Sequence, residues 1–178
     1  MNSPDAHLAG PIPVGPILVG VGSNLPGERF ATPRAACEAA ARALEEEGLR
    51  VTARSRWFES APVPVSDQPW YVNGVLSVAT ALPPDDVLAL LHRVEARFGR
   101  IRRERNEARV IDLDLLAYGS LLRDDPPPVL PHPRLHQRAF VLLPLQDVAP
   151  DWTHPRLGTG IAELVAALPP GQAIRPVA

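Results

Sequence analysis

The sequence predicts an α+β sandwich: a mainly antiparallel sheet with helices packed on one face and further elements added at the C-terminal end. Three observations predict it. Short apolar runs of strand length alternate with two segments of helical spacing. The elements come in the order strand, helix, strand, strand, helix, strand. The 22 prolines fall in clusters between these segments, which marks loops rather than a disordered chain. A length of 178 residues and 46% hydrophobic content suit one compact domain.

Residues 17–21 form an apolar run closed by Gly22 and read as a buried strand. A helix follows, with Thr32 as N-cap, Pro33 at the first helical position and an alanine-rich run stopped by Gly48. Residues 49–59 read as a second strand, 62–69 as a loop and 71–82 as a third strand rich in valine. Pro83 and Pro84 open a second helix. Its apolar positions Val87, Leu90, Leu91, Val94 and Phe98 recur at helical spacing, and Gly99 ends it. A polar loop, 100–109, leads into a fourth strand, 110–118. This order is the ferredoxin-like pattern, and the right-handed crossover rule makes it the simplest closed arrangement. After Gly119 the sequence reads as loop, a helix near 137–148 and a short helix near 160–168. Residues 1–16, rich in proline and glycine, are expected to be a disordered lead, and 17–178 a single domain.

A net charge of −2 predicts neither a nucleic-acid nor a membrane partner by bulk attraction. No apolar run reaches the roughly 18–20 residues of a membrane span, and the N-terminal stretch lacks the basic start and apolar core of a signal peptide. The lone Cys37 allows no internal disulfide and fits a reducing cytoplasm. A monomer is expected.

Five segments carry chemistry. In Asp112-Leu113-Asp114, residues i and i+2 share one face of a strand. Ile111, Leu113 and Leu115 then point to the core and both carboxylates to the other side. Two close carboxylates repel each other and resist burial. A divalent cation resolves this, and magnesium favours a few carboxylate oxygens completed by phosphate and water. Alone, such a pair fits a wet sheet face as well. The residues upstream favour the metal: the segment 100–109 holds five arginines, Arg100, Arg102, Arg103, Arg105 and Arg109, whose guanidinium forks suit phosphate oxygens. A solvated charged loop, part-neutralised by Glu104 and Glu107, is the other reading of that segment. A third segment, Pro131-His132-Pro133-Arg134-Leu135-His136-Gln137-Arg138-Ala139-Phe140, offers phosphate donors in His132 and Arg138. Two histidines fall short of the usual zinc ligand count. Tyr71 and Asn73 share a strand face and could hold a flat, hydrogen-bonding heterocycle, or simply sit at a strand edge. Gly22-Ser23-Asn24 permits close approach of backbone to a ligand.

Together these segments resemble the 6-hydroxymethyl-7,8-dihydropterin pyrophosphokinase family of folate biosynthesis. The likeness rests on Gly22-Ser23-Asn24, residues 58–62, Asp67-Gln68-Pro69 with Tyr71 and Asn73, Glu95, Gly99-Arg100 with Arg102, Asp112-Leu113-Asp114, and Pro131-His132-Pro133-Arg134 with Arg138 and Phe140. The resemblance implies a ferredoxin-like α+β core and transfer of pyrophosphate from ATP to the pterin hydroxymethyl group, giving AMP. It implies two Mg2+ ions on Asp112 and Asp114, and phosphate or nucleotide contacts from Arg100, Arg102, Arg109, His132 and Arg138. Glu95 would lie near the same nucleotide and metal centre, His92 near the nucleotide, and Leu115 among the ATP contacts. Ser60, Val63, Tyr71, Asn73 and Phe140 would form the pterin pocket. The chain departs from the family in one run: where members commonly carry Arg-Trp-Gly-Pro-Arg, it has Arg105-Asn106-Glu107-Ala108-Arg109, without the tryptophan that closes over the site. Two rival readings are an RNA-recognition module, which needs paired aromatics on its central strands, and a catalytically impaired paralogue that binds pterin or nucleotide.

Overall fold

The computed structural model describes residues 14–25, 27–99 and 110–178. The sequence readings that fall on 1–13 and on 100–109, including Arg100, Arg102 and Arg109, lie outside the described residues. Six strands form one sheet in the order β5-β1-β4-β3-β6, with β2 pairing β4 beside β3. The strands are β1 (Ile17–Ser23), β2 (Arg50–Arg54), β3 (Phe58–Ser60), β4 (Tyr71–Ala79), β5 (Asp112–Tyr118) and β6 (Ile174–Pro176), and the pairings between them are antiparallel.

Two helices cover the first face. In α1 (Pro33–Glu46) the Thr32 hydroxyl accepts from Ala35 N at 3.1 Å and so caps one orphan donor of the first turn. Its small buried residues, Ala36, Ala40, Ala41 and Ala43, bring it close to the sheet. In α2 (Pro84–Arg97) the stripe Val87, Leu90, Leu91 and Val94 is fully buried. Burial of that kind contributes about 1.5–3 kcal/mol per side chain. Asp85 and Asp86 sit in the first turn, where the helix dipole favours negative charge. Against these helices pack Val19 and Val21 of β1, Val72, Leu76 and Val78 of β4, and Leu113 and Leu115 of β5.

The C-terminal elements cover part of the second face. The helices α3 (Ala139–Val148) and α4 (Ile161–Ala166) pack with Trp152 on Leu18, Val75, Leu116 and Ala117. The predicted fold class stands, and the added elements complete a third layer. Two details depart from the sequence reading. The expected strand 49–59 is two strands. Between them Trp57 turns onto Gly74, where a Cβ would lie 2.6 Å from the indole. And β6, which the sequence did not predict, extends the sheet beyond β3.

A bulge in β5 shifts which of its residues face the C-terminal layer. Leu18 pairs with Ala117 but Val19 with Leu115, leaving Leu116 as the extra residue. Leu116 and Ala117 therefore both belong to the second face, and Tyr118 returns to the first. Among the described residues, no helix is long and apolar enough to cross a membrane.

Candidate active site

Three rows cross the second face of the sheet. One runs Ala117–Leu18–Ser77, the next Asp114–Gly20–Val75, and the last Asp112–Gly22–Asn73–Phe58. Paired residues in an antiparallel ladder point the same way, so these side chains share a face. The first row lies under the apolar layer of α3 and α4. The last row opens into a cavity of about 380 Å³, within the usual range for a small-molecule site.

The floor follows from the pleat. Leu113 and Leu115 are buried in the helix-side core, which turns Asp112 and Asp114 to the cavity. Their partners across the ladder are Gly22 and Gly20, which add no side chain beside the carboxylates. Gly22 has a second effect: a Cβ there would lie 3.0 Å from Asn73 Oδ1. Its absence lets the Asn73 amide lie across β1, while Asn73 Nδ2 donates to Ser60 Oγ at 2.7 Å. Both residues are buried yet line the cavity. Tyr71 stands beside them, its hydroxyl donating to Gln68 Oε1 at 3.4 Å. Asn24 Nδ2 also donates to Gln68 Oε1, at 3.1 Å, and ties the end of β1 to the 62–69 loop.

The opposite wall carries the cations and an aromatic ring. His132 N donates to the bulge carbonyl of Leu116 at 2.8 Å, which sets the 131–134 turn beside the aspartates. His132 Nδ1 accepts from Arg134 N at 3.2 Å, so the neutral ring carries its proton on Nε2. Burial, then the charges of Arg138 and Arg134, push its pKa down to about 4, with Asp112 opposing. At neutral pH His132 is an uncharged donor. Arg138 forms the N-cap of α3, and its guanidinium carbon lies 5.3 Å from the Phe140 ring centroid. Burial lowers its pKa while Asp114 and Asp112 raise it, and a guanidinium stays charged throughout.

Nine of the predicted side chains therefore gather at one cavity: Asp112, Asp114, Ser60, Val63, Tyr71, Asn73, His132, Arg138 and Phe140. Three do not. Leu115 is a core residue of the helix side, because the pleat turns it away from the aspartates. Glu95 is buried behind β5, where its carboxylate accepts from Leu113 N, between the two aspartates, at 2.8 Å. Its position is that of a brace for the acid pair. His92 sits on the exposed side of α2. Gln68, Pro64 and Ser66 also line the cavity beyond the residues expected from the sequence; Gln68 lies within the Asp67-Gln68-Pro69 motif.

The donor set suits magnesium. Among the described residues no three His, Cys, Asp or Glu side chains cluster as a metal cage. Two hard carboxylates on an open cavity face supply a few oxygens and leave the remaining coordination to phosphate and water, the arrangement magnesium favours.

A family model described as 7,8-dihydro-6-hydroxymethylpterin-pyrophosphokinase (HPPK) matches residues 18–150. The chain is 42% identical over 154 residues to the 2-amino-4-hydroxy-6-hydroxymethyldihydropteridine pyrophosphokinase of Pseudomonas aeruginosa, covering 86% of this chain and 91% of that one. It is 40% identical over 133 residues to the protein of that name from Methylorubrum extorquens, covering 75% and 82%. A Synechocystis protein of the same name is 39% identical over 118 residues, 66% of this chain and 60% of that one. Among solved structures, a Plasmodium falciparum HPPK-DHPS triple mutant with pteroate superposes with a TM-score of 0.65 at 13% identity, over 85% of this chain and 42% of that one. That likeness bears on the fold.

Proposed function

The chain belongs to the 7,8-dihydro-6-hydroxymethylpterin-pyrophosphokinase family, whose reaction is pyrophosphoryl transfer in folate biosynthesis, and we propose that the cavity at Asp112 and Asp114 is its active site. The substrates are ATP and 6-hydroxymethyl-7,8-dihydropterin, and the products are AMP and the pterin pyrophosphate. The observation that carries the reading is the pairing of two walls: acid and cation at one end, an uncharged hydrogen-bonding floor at the other.

The pterin lies over Asn73 and Ser60. The Asn73 amide, with donor and acceptor on one planar group, reads the ring edge, and Phe140 stacks on its face. Tyr71 and Val63 close the sides. The hydroxymethyl oxygen then points toward Asp112 and Asp114. These two carboxylates would hold two Mg2+ ions, which would supply charge neutralisation for the polyphosphate and for the attacking oxygen. The hydroxyl oxygen attacks the β-phosphorus, the bond to the α–β bridging oxygen breaks, AMP leaves, and the hydroxyl proton passes to solvent.

The protein's work is positioning and charge stabilisation, as in other phosphoryl transfers. His132, neutral with its proton on Nε2, donates to a phosphate oxygen without competing with the metal for charge. Arg138 offers a charge-assisted fork from the same side. Arg100, Arg102 and Arg109 complete the phosphate contacts in this reading. Glu95 acts through Leu113 N, and Leu115 and His92 are not assigned contacts. The reading extends to a monomer in the cytoplasm, a compartment that the lone, buried Cys37 thiol fits. An RNA-recognition module would need aromatics where this sheet face carries Asp112 and Asp114. Incubation with ATP, Mg2+ and the pterin should release AMP in step with pterin consumed. Binding of both substrates without AMP would mark an impaired paralogue instead.

A further inference from the structure

Helix α3 begins at the cavity with its N-terminal donors uncapped by its own sequence, since Arg138 stands at the N-cap and makes no side-chain cap bond. The missing acceptor comes from a residue 33 positions beyond Ala139. Gln172 Oε1 accepts from Ala139 N at 2.9 Å, and Gln172 Nε2 donates to Gln137 O at 3.0 Å and to Pro169 O at 3.3 Å. The Gln137 carbonyl belongs to the peptide unit before Arg138, and the Ala139 N–H to the one after it. A single primary amide thus holds both peptide planes that flank the Arg138 Cα and thereby sets the direction of its side chain.

The adjoining backbone braces the other wall. Ala61 N donates to Ala173 O at 3.0 Å, and Ser60 pairs with Ile174 in the β3–β6 ladder. The segment after Gln172 therefore ties β3, which carries Ser60, to the start of α3, which carries Phe140. Gln172, Ala173 and Ile174 lie beyond the stretch 18–150 that the family model matches.

We propose that Gln172 is a positioning residue for the transfer reaction, acting through Arg138 by clamping the two peptide units around it; this rests on the active-site reading above. Glutamine suits the task because its amide donates and accepts on one rigid plane. Glutamate keeps the acceptor and loses the donor, and alanine loses both.

The test is a double-mutant cycle of Gln172→Ala with Arg138→Ala, run alongside Gln172→Glu, with amide exchange as a second readout. Gln172→Ala should lower kcat/KM for ATP about tenfold, since small misplacements of substrate-binding groups can cost that much or more. Gln172→Glu should recover part of the loss. In the Arg138→Ala background Gln172→Ala should cost less than about twofold, because the group it positions is gone. Losses that multiply in the double variant would overturn the proposal, as would a Gln172→Ala enzyme with unchanged kinetics. In the Gln172→Ala protein the Ala139 amide should exchange with deuterium about tenfold faster. An unchanged rate would remove the clamp. Exchange needs no turnover, so a chain that transfers no pyrophosphate would defeat the functional reading while the clamp is still judged on its own.

Discussion

Gly22→Ala places one methyl group where the fold leaves no room for it. Gly22 faces Asn73 on one side and Asp112 on the other, and the new Cβ would lie 3.0 Å from Asn73 Oδ1, whereas ordinary contact begins at 3.4 Å. The Asn73 amide must retreat by a few tenths of an ångström, but its Nδ2 is held by Ser60 Oγ at 2.7 Å in a buried setting. Breaking that bond leaves two buried polar groups unsatisfied and costs about 1–3 kcal/mol. Replacing glycine inside a strand returns roughly 0.5–1 kcal/mol of backbone entropy. The net loss is about 1 kcal/mol, which for a domain of this size lowers Tm by about 2–4 °C. The displaced amide should also weaken pterin binding about fivefold or more, by the same loss of pairing, while leaving an ATP analogue nearly unaffected. Gly20→Ala is the comparison for stability: its Cβ would meet Leu116 Cδ1 at an ordinary 3.4 Å, so its Tm should hold or rise. Thermal denaturation and calorimetric titration with each ligand decide the matter. A Gly22→Ala protein as stable as the Gly20→Ala protein, with pterin affinity intact, would show that Asn73 accommodates the methyl group without losing its bond to Ser60.

Asp112→Asn and Asp114→Asn should each reduce turnover at least a hundredfold, read in a steady-state assay, while the apo Tm stays level or rises as carboxylate repulsion is relieved. Asn73→Ala should weaken pterin binding by about 1–3 kcal/mol in calorimetry and change ATP binding much less. His132 binds its proton less tightly when folded, with a pKa of about 4 against an ordinary 6.5. The unfolded chain therefore takes up more protons between those values, and stability is full above about pH 6.5 and declines as pH falls toward 4. The buried His154 ring, also shifted down, acts in the same sense. His132→Asn keeps an acceptor for Arg134 N without a titrating ring, and its Tm should fall less steeply across that window. Equal slopes for variant and wild type would contradict this.

The parts of the fold set by local periodicity were legible in the sequence. The alternation Ile111, Leu113, Leu115 against Asp112 and Asp114 fixed which side of β5 the acids occupy, and the structure has them on the cavity side. Thr32, Pro33 and Gly48 mark the limits of α1 through chemistry local to each end. The parts set by long-range packing were not legible. The Leu116 bulge exists because β5 slips one residue against β1, and nothing in Leu115-Leu116-Ala117 announces it. Yet its carbonyl anchors His132. β6 is only Ile-Arg-Pro, too short for any period, and its proline fits only an edge strand. Gln172 is one polar residue in a loop, and its bonds reach back to residues 137 and 139. The resemblance implies places near the nucleotide for Glu95 and Leu115; long-range packing sets the Leu115 side chain in the core and the buried Glu95 carboxylate on Leu113 N, between the two aspartates.

In the proposed reaction a pyrophosphoryl group, not a single phosphoryl group, moves at the Asp112 and Asp114 cavity. Phosphorus NMR of a reaction containing ATP, Mg2+ and 6-hydroxymethyl-7,8-dihydropterin distinguishes the two transfers. AMP and a pterin pyrophosphate should appear in equal amounts, with neither detected for the Asp114→Asn protein. Formation of ADP with a pterin monophosphate, or undiminished product from the Asp114→Asn protein, would contradict pyrophosphoryl transfer at this cavity.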